Sequence, residues 1–232
     1  MRHAARALLM LSCLSVVGAL PPAGAQTTHE CHGHQATIEG NDTNEHLEGT
    51  DGRDIIWAGG GNDVVHGRGG DDLICGGNGA DAIYGDTDDD KLYGGPGPDG
   101  VYGRDDSDVE FGGAGDDQLT GGGSDQAPDT LYGGPGDDMM LGQGGADTMF
   151  GQGGADSLEG GRAGDRESGG AGTDAVAGDV GRDRLFGRTG DDRVFGNDSV
   201  DLLDGGAGAD VLNGGSASDT CRNGETLVSC ER

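Results

Sequence analysis

The sequence has few of the residues that build a hydrophobic core, and it has few cations. Only 4% of its 232 residues are aromatic. It has 14 lysine and arginine residues in total, compared with 43 acidic residues. This composition excludes an ordinary globular core, and low hydrophobicity with high net charge often indicates disorder. A formal net charge of −29 also argues against nucleic acid and anionic lipid as partners, because both are negatively charged. Glycine is abundant instead, with 53 residues, so something other than apolar burial must hold a folded chain together.

One long apolar run is present, at the N-terminus. Arg2 and Arg6 precede an uncharged stretch over residues 7–20, and Ala23-Gly24-Ala25 has the small residues of a cleavage site. The run is too short to span a membrane. It therefore predicts a signal peptide over residues 1–25 and a secreted, extracellular protein without membrane insertion. Cys13 could mark a lipidation site, but it lies too early in the apolar stretch for that to be the better interpretation. Removing the signal changes the net charge from −29 to −31.

A nine-residue repeat begins at Gly40 and continues to Arg222. Twenty consecutive units fill residues 40–222, and one of them, Gly121 to Tyr132, is three residues longer than the rest. Position one is glycine in every unit except that beginning at Ala58. Position six is an acid in all twenty units: Glu45, Asp54, Asp63, Asp72, Asp81, Asp90, Asp99, Asp108, Asp117, Asp129, Asp138, Asp147, Asp156, Asp165, Asp174, Asp183, Asp192, Asp201, Asp210 and Asp219. Position five varies freely, so we expect it to face solvent and position six to have a fixed partner.

The pattern within a unit predicts the fold. Position eight is apolar in eighteen units, and one inward side chain between two neighbours is typical of a three-residue strand. Glycines at positions one, two and often four supply the positive φ angles of a tight turn. Each unit is then half a coil. The sequence predicts an all-β protein, a parallel β-roll that is β-helix-like, with two nonapeptide units per 18-residue coil and strands on two faces.

The repeats resemble a known family. Residues 76–84, GGNGADAIY, and 133–141, GGPGDDMML, are similar to the hemolysin-type calcium-binding (RTX) nonapeptide GGxGxDxUx. This resemblance extends over residues 40–222. It implies that the position-six acids and turn carbonyls of stacked units bind multiple Ca²⁺ ions between coils. We assign the ligand role only to the twenty position-six acids.

The charge of the chain is consistent with that expectation. Units two apart stack about 4.8 Å from each other, so Asp54 should lie over Asp72. Like charges at that distance repel by about 1 kcal/mol in water and about 3–4 kcal/mol at an effective dielectric constant of 20. Calcium suits such a ladder because it accepts six to eight oxygen ligands in irregular geometry, which magnesium does not. About sixteen divalent ions neutralise a charge of −31, close to the eighteen stacked pairs that twenty units provide. We therefore expect folding to depend on calcium.

Two units depart from the pattern at the inward position. Glu110 and Glu167 occupy position eight of units 8 and 14, where a buried lone carboxylate is costly. This favours loosened or hydrated coils over an additional metal ligand. Together with the insertion at residues 124–128, it predicts a weak junction in the roll over residues 103–132.

All nine phenylalanine, tyrosine and tryptophan residues fall at position nine, which should point outward. They are Trp57, Tyr84, Tyr93, Tyr102, Phe111, Tyr132, Phe150, Phe186 and Phe195. Tyr93, Phe111, Tyr132 and Phe150 follow one another coil by coil and predict an exposed stripe. Aromatic ladders usually stabilise pleated surfaces, and docking of a glycan or protein is the alternative.

The ends of the array carry the remaining signals. The exported chain keeps Cys31, Cys75, Cys221 and Cys230, and an even count indicates two disulfides. Sequence separation favours pairing the first two with each other and the last two with each other. Residues 26–39 and 223–232 are then capping segments, which solenoids need. A transition-metal site formed by His29, Cys31, His32 and His34 is less favoured, because the spacing matches no closed four-ligand arrangement.

These features predict a function without catalysis. The sequence contains no HExxH zinc helix and no GxSxG nucleophile turn, and signal, repeats and caps fill it. A surface lyase site would need clustered cations, yet Lys91 is the single lysine. We predict a secreted calcium-binding module with a structural or adhesive role. The alternative is calcium-dependent binding of a glycan or cell surface, and a polysaccharide-modifying enzyme is less favoured.

Overall fold

The computed structural model describes residues 29–123 and 126–230. The predicted signal peptide, residues 1–25, lies outside the described residues, as do Ser124 and Asp125 of the insertion. The described part of the chain forms strands and turns but no helix, and so no helix that could cross a membrane.

Two parallel sheets of eleven strands each form the roll. The even sheet carries the strands of the even-numbered units and begins with a strand of the N-terminal cap. Its strands are β3 (Ile38–Asn41), β5 (Ile55–Gly60), β7 (Leu73–Asn78), β9 (Lys91–Pro96), β11 (Val109–Ala114), β13 (Thr130–Pro135), β15 (Thr148–Gly153), β17 (Arg166–Ala171), β19 (Arg184–Thr189), β21 (Leu202–Ala207) and β23 (Thr220–Arg222).

The odd sheet carries the strands of the odd-numbered units and ends with a strand of the C-terminal cap. Its strands are β4 (His46–Glu48), β6 (Val64–Gly69), β8 (Ala82–Thr87), β10 (Gly100–Arg104), β12 (Gln118–Gly122), β14 (Met139–Gly144), β16 (Ser157–Arg162), β18 (Ala175–Val180), β20 (Arg193–Phe195), β22 (Val211–Asn213) and β24 (Thr226–Val228). A short antiparallel pair, β1 (Glu30–Cys31) and β2 (His34–Gln35), precedes both sheets.

The register confirms the predicted coil of two units. Ile56 pairs with Ile74, and Val65 pairs with Ile83, so partners lie eighteen residues apart. Both sheets continue through the predicted weak junction, where Glu110 pairs with Leu131 across the three-residue insertion. The insertion therefore lengthens one turn and leaves the strand register unchanged on either side.

Most strands are twice as long as the three residues expected. β5, for example, runs for six residues and extends through position three of the next unit. Stacked glycines make this possible: Gly77 has a φ of 104°, and a Cβ on it would collide with the carbonyl oxygen of Gly59 in the coil before. Glycine at position two lets neighbouring backbones stay close enough to continue the ladder.

The core is a double row of position-eight side chains, with one residue from each unit. The apolar members from Ile56 to Leu212 are at most 1% exposed, and Glu110 and Glu167 are equally buried in the same row. The coils at these two glutamates are not loosened as expected, since β11 and β17 each pair with both neighbouring strands. Their side chains are long enough to place the carboxylates toward the turn while the backbone stays in register.

Disulfides join both ends to the roll with the predicted pairing. Cys31 is bonded to Cys75, and Cys221 is bonded to Cys230. The bond at Cys31 removes the thiolate from the alternative transition-metal site. His29 stacks on Trp57 with ring centroids 3.8 Å apart, so the cap packs on the even sheet.

Candidate metal centres

Each position-six acid after the first coil is fixed by a backbone amide of the coil before it. The N–H of Asp54 donates to Oδ1 of Asp72 at 2.7 Å, and the N–H of Asp63 donates to Oδ1 of Asp81 at 2.8 Å. The series contains eighteen such bonds of 2.7–3.0 Å. The acids thus form two columns. One runs along the turns of the odd units, which we call the odd edge. The other runs along the turns of the even units, which we call the even edge.

The second oxygen of these carboxylates is buried. From Asp63 to Asp219 the position-six acids are at most 3% exposed. In sixteen of them Oδ2 has no hydrogen-bond donor within the described residues: Asp63, Asp72, Asp81, Asp90, Asp99, Asp108, Asp117, Asp138, Asp156, Asp165, Asp174, Asp183, Asp192, Asp201, Asp210 and Asp219. Buried polar atoms are normally paired, so this set requires a partner from outside the chain.

Those oxygens lie beside carbonyl oxygens of the next coil, at the edge of the apolar core, where Ile74 Cδ1 is 3.3 Å from the point a Cβ on Gly67 would occupy. A Cβ placed on Gly67 would lie 2.5 Å from Oδ2 of Asp72 and 2.7 Å from the carbonyl oxygen of Gly85. On the odd edge, a Cβ on Gly76 would lie 2.5 Å from Oδ2 of Asp81 and 2.8 Å from the carbonyl oxygen of Gly94. Position one is glycine in every unit except that beginning at Ala58, and at the glycines a side chain would fill this space. Carboxylate and carbonyl oxygens are the ligand set that Ca²⁺ prefers, so the residues fit that ion.

The two edges differ in their turns. On the odd edge, positions two and four are mostly glycine, as in Gly77 and Gly79 with φ of 104° and 138°. On the even edge, residues with side chains adopt the same conformation, for example Arg68, Asp86 and Asp88 with φ of 78°, 82° and 74°. Positive φ is unfavourable for these residues, so the backbone path is maintained there at a cost in strain.

The first acid of each column differs from those that follow. Glu45 is partly exposed, and its Oε2 accepts the N–H of Asn41 at 2.6 Å. Oδ2 of Asp54 accepts the N–H of Thr50 at 2.7 Å and its hydroxyl at 2.9 Å. The structure places all twenty predicted acids in the columns, but local donors already satisfy these two.

Burial opposes ionisation of the columns. It raises the pKa of Asp90 and of Asp108 to about 8, and the charges of aspartates in neighbouring coils raise it further. The pKa of Asp72 and of Asp99 is raised to about 7 for the same reasons. Carboxylates with such values hold protons near neutral pH unless a cation replaces them.

The two core glutamates lie next to the columns. Oε1 of Glu110 accepts the N–H of Gly103 at 2.9 Å. Both oxygens of Glu167 and Oε2 of Glu110 are buried and lack a hydrogen-bond partner in the described chain. Burial raises the pKa of both side chains well above the ordinary value, and the charges of nearby aspartates add to the effect.

The four aromatic residues predicted to follow one another on the even sheet do stack there, but they are half-buried and not exposed as expected. Ring centroids of Tyr93, Phe111, Tyr132 and Phe150 are separated by 4.6, 4.8 and 5.2 Å, with interplanar angles of 11° or less. His32 covers the other face of Tyr93 at 3.7 Å. The faces of these rings are therefore largely covered by one another.

A second stack on the odd sheet was not predicted. His66 stacks on Tyr84 at 4.6 Å, Tyr84 stacks on Tyr102 at 4.9 Å, and Arg104 lies over the ring of Tyr84 at 4.6 Å. The sequence carries a signal for this stack, because His66 occupies position nine, as Tyr84 and Tyr102 do in the next two odd units.

Comparison with known proteins agrees with this geometry. A family model described as RTX calcium-binding nonapeptide repeat (4 copies) matches residues 39–74, 76–110, 102–125, 126–158, 168–203 and 186–221. No curated protein matches the chain significantly.

Proposed function

Because the chain belongs to the RTX calcium-binding nonapeptide repeat family, we propose that it is a secreted protein whose folding is driven by calcium held between stacked turns. Its role outside the cell is structural or adhesive. It has no catalytic residues in this proposal, and its primary partners are the calcium ions themselves.

One observation carries the proposal: the sixteen buried Oδ2 atoms that lack a donor within the described residues. Each is held in place because the other oxygen of the same carboxylate accepts a hydrogen bond from a backbone N–H. Except for Asp63, whose unit begins with Ala58, each lies at a turn whose position-one glycine leaves room beside it. Bound calcium would neutralise the carboxylates and cross-link successive coils.

The ligands in this proposal are the position-six acids, with carbonyl oxygens of the turns. The eighteen pairs joined by a hydrogen bond from a backbone N–H to a carboxylate give nine stacked pairs on each edge. Asp63 to Asp219 supply an oxygen to the odd and even columns alternately. Glu45 and Asp54 begin the columns and contribute less, because local donors occupy their oxygens.

Secretion is supported by the apolar N-terminus and by the two disulfides, which persist in oxidising compartments. In the calcium-poor cytosol the self-repelling columns keep the chain unfolded and exportable. Outside the cell, calcium stabilises the folded state by mass action.

Circular dichroism of the exported chain, residues 26–232, tests the folding switch. Calcium-depleted protein at neutral pH should show little strand signal, and titration with calcium should restore it. Affinities of about 10⁻⁴–10⁻³ M are typical of extracellular sites, so the transition should fall near that range. Equal strand content and thermal stability with calcium and after exhaustive depletion would contradict the proposal. Magnesium at the same concentrations is the matched control and should be much less effective.

The aromatic stripe supports a structural role better than glycan binding. A sugar stacks on an exposed ring face, whereas the rings of Phe111 and Tyr132 face each other at 4.8 Å. Glycan or surface binding is the alternative function. A glycan array probed with the calcium-loaded protein and with Tyr93→Ala distinguishes the two roles.

A further inference from the structure

Two carboxylates lie within the apolar core. Glu110 and Glu167 are both fully buried in the position-eight row. The buried residues of the described chain include no lysine or arginine that could compensate them. An uncompensated buried carboxylate is strongly unfavourable, so each must find a proton or a cation.

Both glutamates reach the same place in their units. Oε1 of Glu167 and Oδ2 of Asp165 each lie 2.5 Å from the point where a Cβ on Gly160 would stand. In unit 8, Oε1 of Glu110 accepts the N–H of Gly103, and Oδ2 of Asp108 lies against the same glycine. In each unit the glutamate and the position-six aspartate therefore converge on the position-one glycine.

We propose that Glu110 and Glu167 are additional calcium ligands, each giving one even-edge site a carboxylate more than the other sites have. The inference rests on the proposed function and names two special sites within it. Since calcium accepts up to eight oxygens and its affinity rises with ligand charge, these two sites bind more tightly than their neighbours.

The turns of these units are strained at position four, as are other even-edge turns such as the one at Asp88. Position four is Asp106 in unit 8 and Ala163 in unit 14, with φ of 74° and 82°, where the odd edge has mostly glycine. A turn with such a residue holds its carbonyl oxygens in place only under strain. An extra carboxylate from the core strengthens the site at these two turns.

Calcium binding by the full exported chain tests the inference. The variants are Glu110→Leu, Glu167→Leu, Glu110→Gln and Glu167→Gln, and the readouts are calorimetric titration and the bound calcium per chain. Each variant should lose one tight site, which becomes about ten- to a hundredfold weaker. In calcium-depleted protein at pH 5.5, where protonation of the columns favours folding, the leucine variants should melt at a higher temperature than the wild type, because burying leucine costs less than burying a carboxyl group.

The control is Met149→Leu, which changes the sheet neighbour of Glu167 with little change in volume. It should leave calcium affinity and stoichiometry unchanged. Hydrogen exchange locates the effect: calcium protection at residues 160–168 should fall in the Glu167 variants and persist in the control.

The outcomes separate the two claims. If the wild type binds no calcium, the proposed function fails. If the wild type binds calcium and all four variants bind it equally well, only the ligand assignment is wrong. Glutamine variants that bind like the wild type, beside leucine variants that do not, would also overturn it, because the glutamates would then act as neutral hydrogen-bonding groups.

Discussion

At the residue scale, adjacent acids in one turn have different roles. Asp71 at position five is exposed, whereas Asp72 at position six is 2% exposed and bonded to the amide of Asp54. Both carry the same charge in the unfolded chain. Burial and the neighbouring column make only the second a candidate ligand.

Asp72→Asn tests this difference. Asparagine keeps an acceptor for the amide of Asp54 but removes the charge that a cation requires. At saturating calcium, the free energy of unfolding should fall by roughly 1–3 kcal/mol, the usual contribution of a charged hydrogen-bonding partner. Urea unfolding in calcium, followed by circular dichroism, measures the change. Asp71→Asn is the matched control and should shift stability by less than about 0.5 kcal/mol. Equal losses in both variants would mean that bulk charge, and not position, determines the effect.

The column could be predicted from the sequence, but its hydrogen bonds could not. Twenty acids at one position of a fixed repeat require stacking at one place in each coil. Whether a carboxylate there meets an amide, a water or a cation depends on the side-chain rotamer and on backbone direction, which periodicity does not specify. The hydrogen bond that Thr50 donates to Asp54 could not be predicted for the same reason.

At the scale of strands and turns, the nine-residue period predicts the two sheets but underestimates the length of their strands. An eighteen-residue coil follows from two units, and the register of Ile56 with Ile74 agrees. The extension of β5 to Gly60 depends on the close approach of Gly59 and Gly77, which is a contact between coils. Single-unit patterns do not report contacts between coils.

The insertion in the tenth unit gives a prediction at this scale. Deleting residues 124–126 restores a nine-residue unit, with Asp129 at position six and Leu131 at position eight. Because both sheets are already in register across the insertion, the variant should fold with unchanged strand content. Loop shortening alone changes stability by less than about 1 kcal/mol.

Limited proteolysis with mass spectrometry measures the effect on the junction. The wild type should be cut first within residues 103–132, and the deletion variant should be cut more slowly there. Deleting residues 96–98 from a regular unit is the control and should unfold the roll, because it removes the end of β9 and two of the three residues that connect β9 to β10. First cuts elsewhere in the wild type would rule out a weak junction.

At the scale of the whole molecule, the negative charge of the columns destabilises the folded state when calcium is absent. A formal net charge of −29 and a core of only two rows of side chains leave the calcium-depleted state dependent on how many carboxylates are protonated. Protons and calcium then compete for the same oxygens. Acid should stabilise the depleted protein and weaken calcium binding at the same time.

The direction of the pH dependence follows from the pKa values. An unfolded aspartate has a pKa of about 3.8, whereas folded Asp72 and Asp99 have values of about 7, and Asp90 and Asp108 of about 8. The folded state therefore binds protons more tightly, and stability falls as the pH rises from about 4 to about 8. Calcium-depleted protein should be more stable at pH 5.5, where thermal melts should show a cooperative transition, than at pH 8, where little strand signal should remain. Saturating calcium should reverse this order, because the loaded sites need ionised carboxylates. A depleted protein most stable at pH 8 would show that the columns are already compensated by something other than protons or metal.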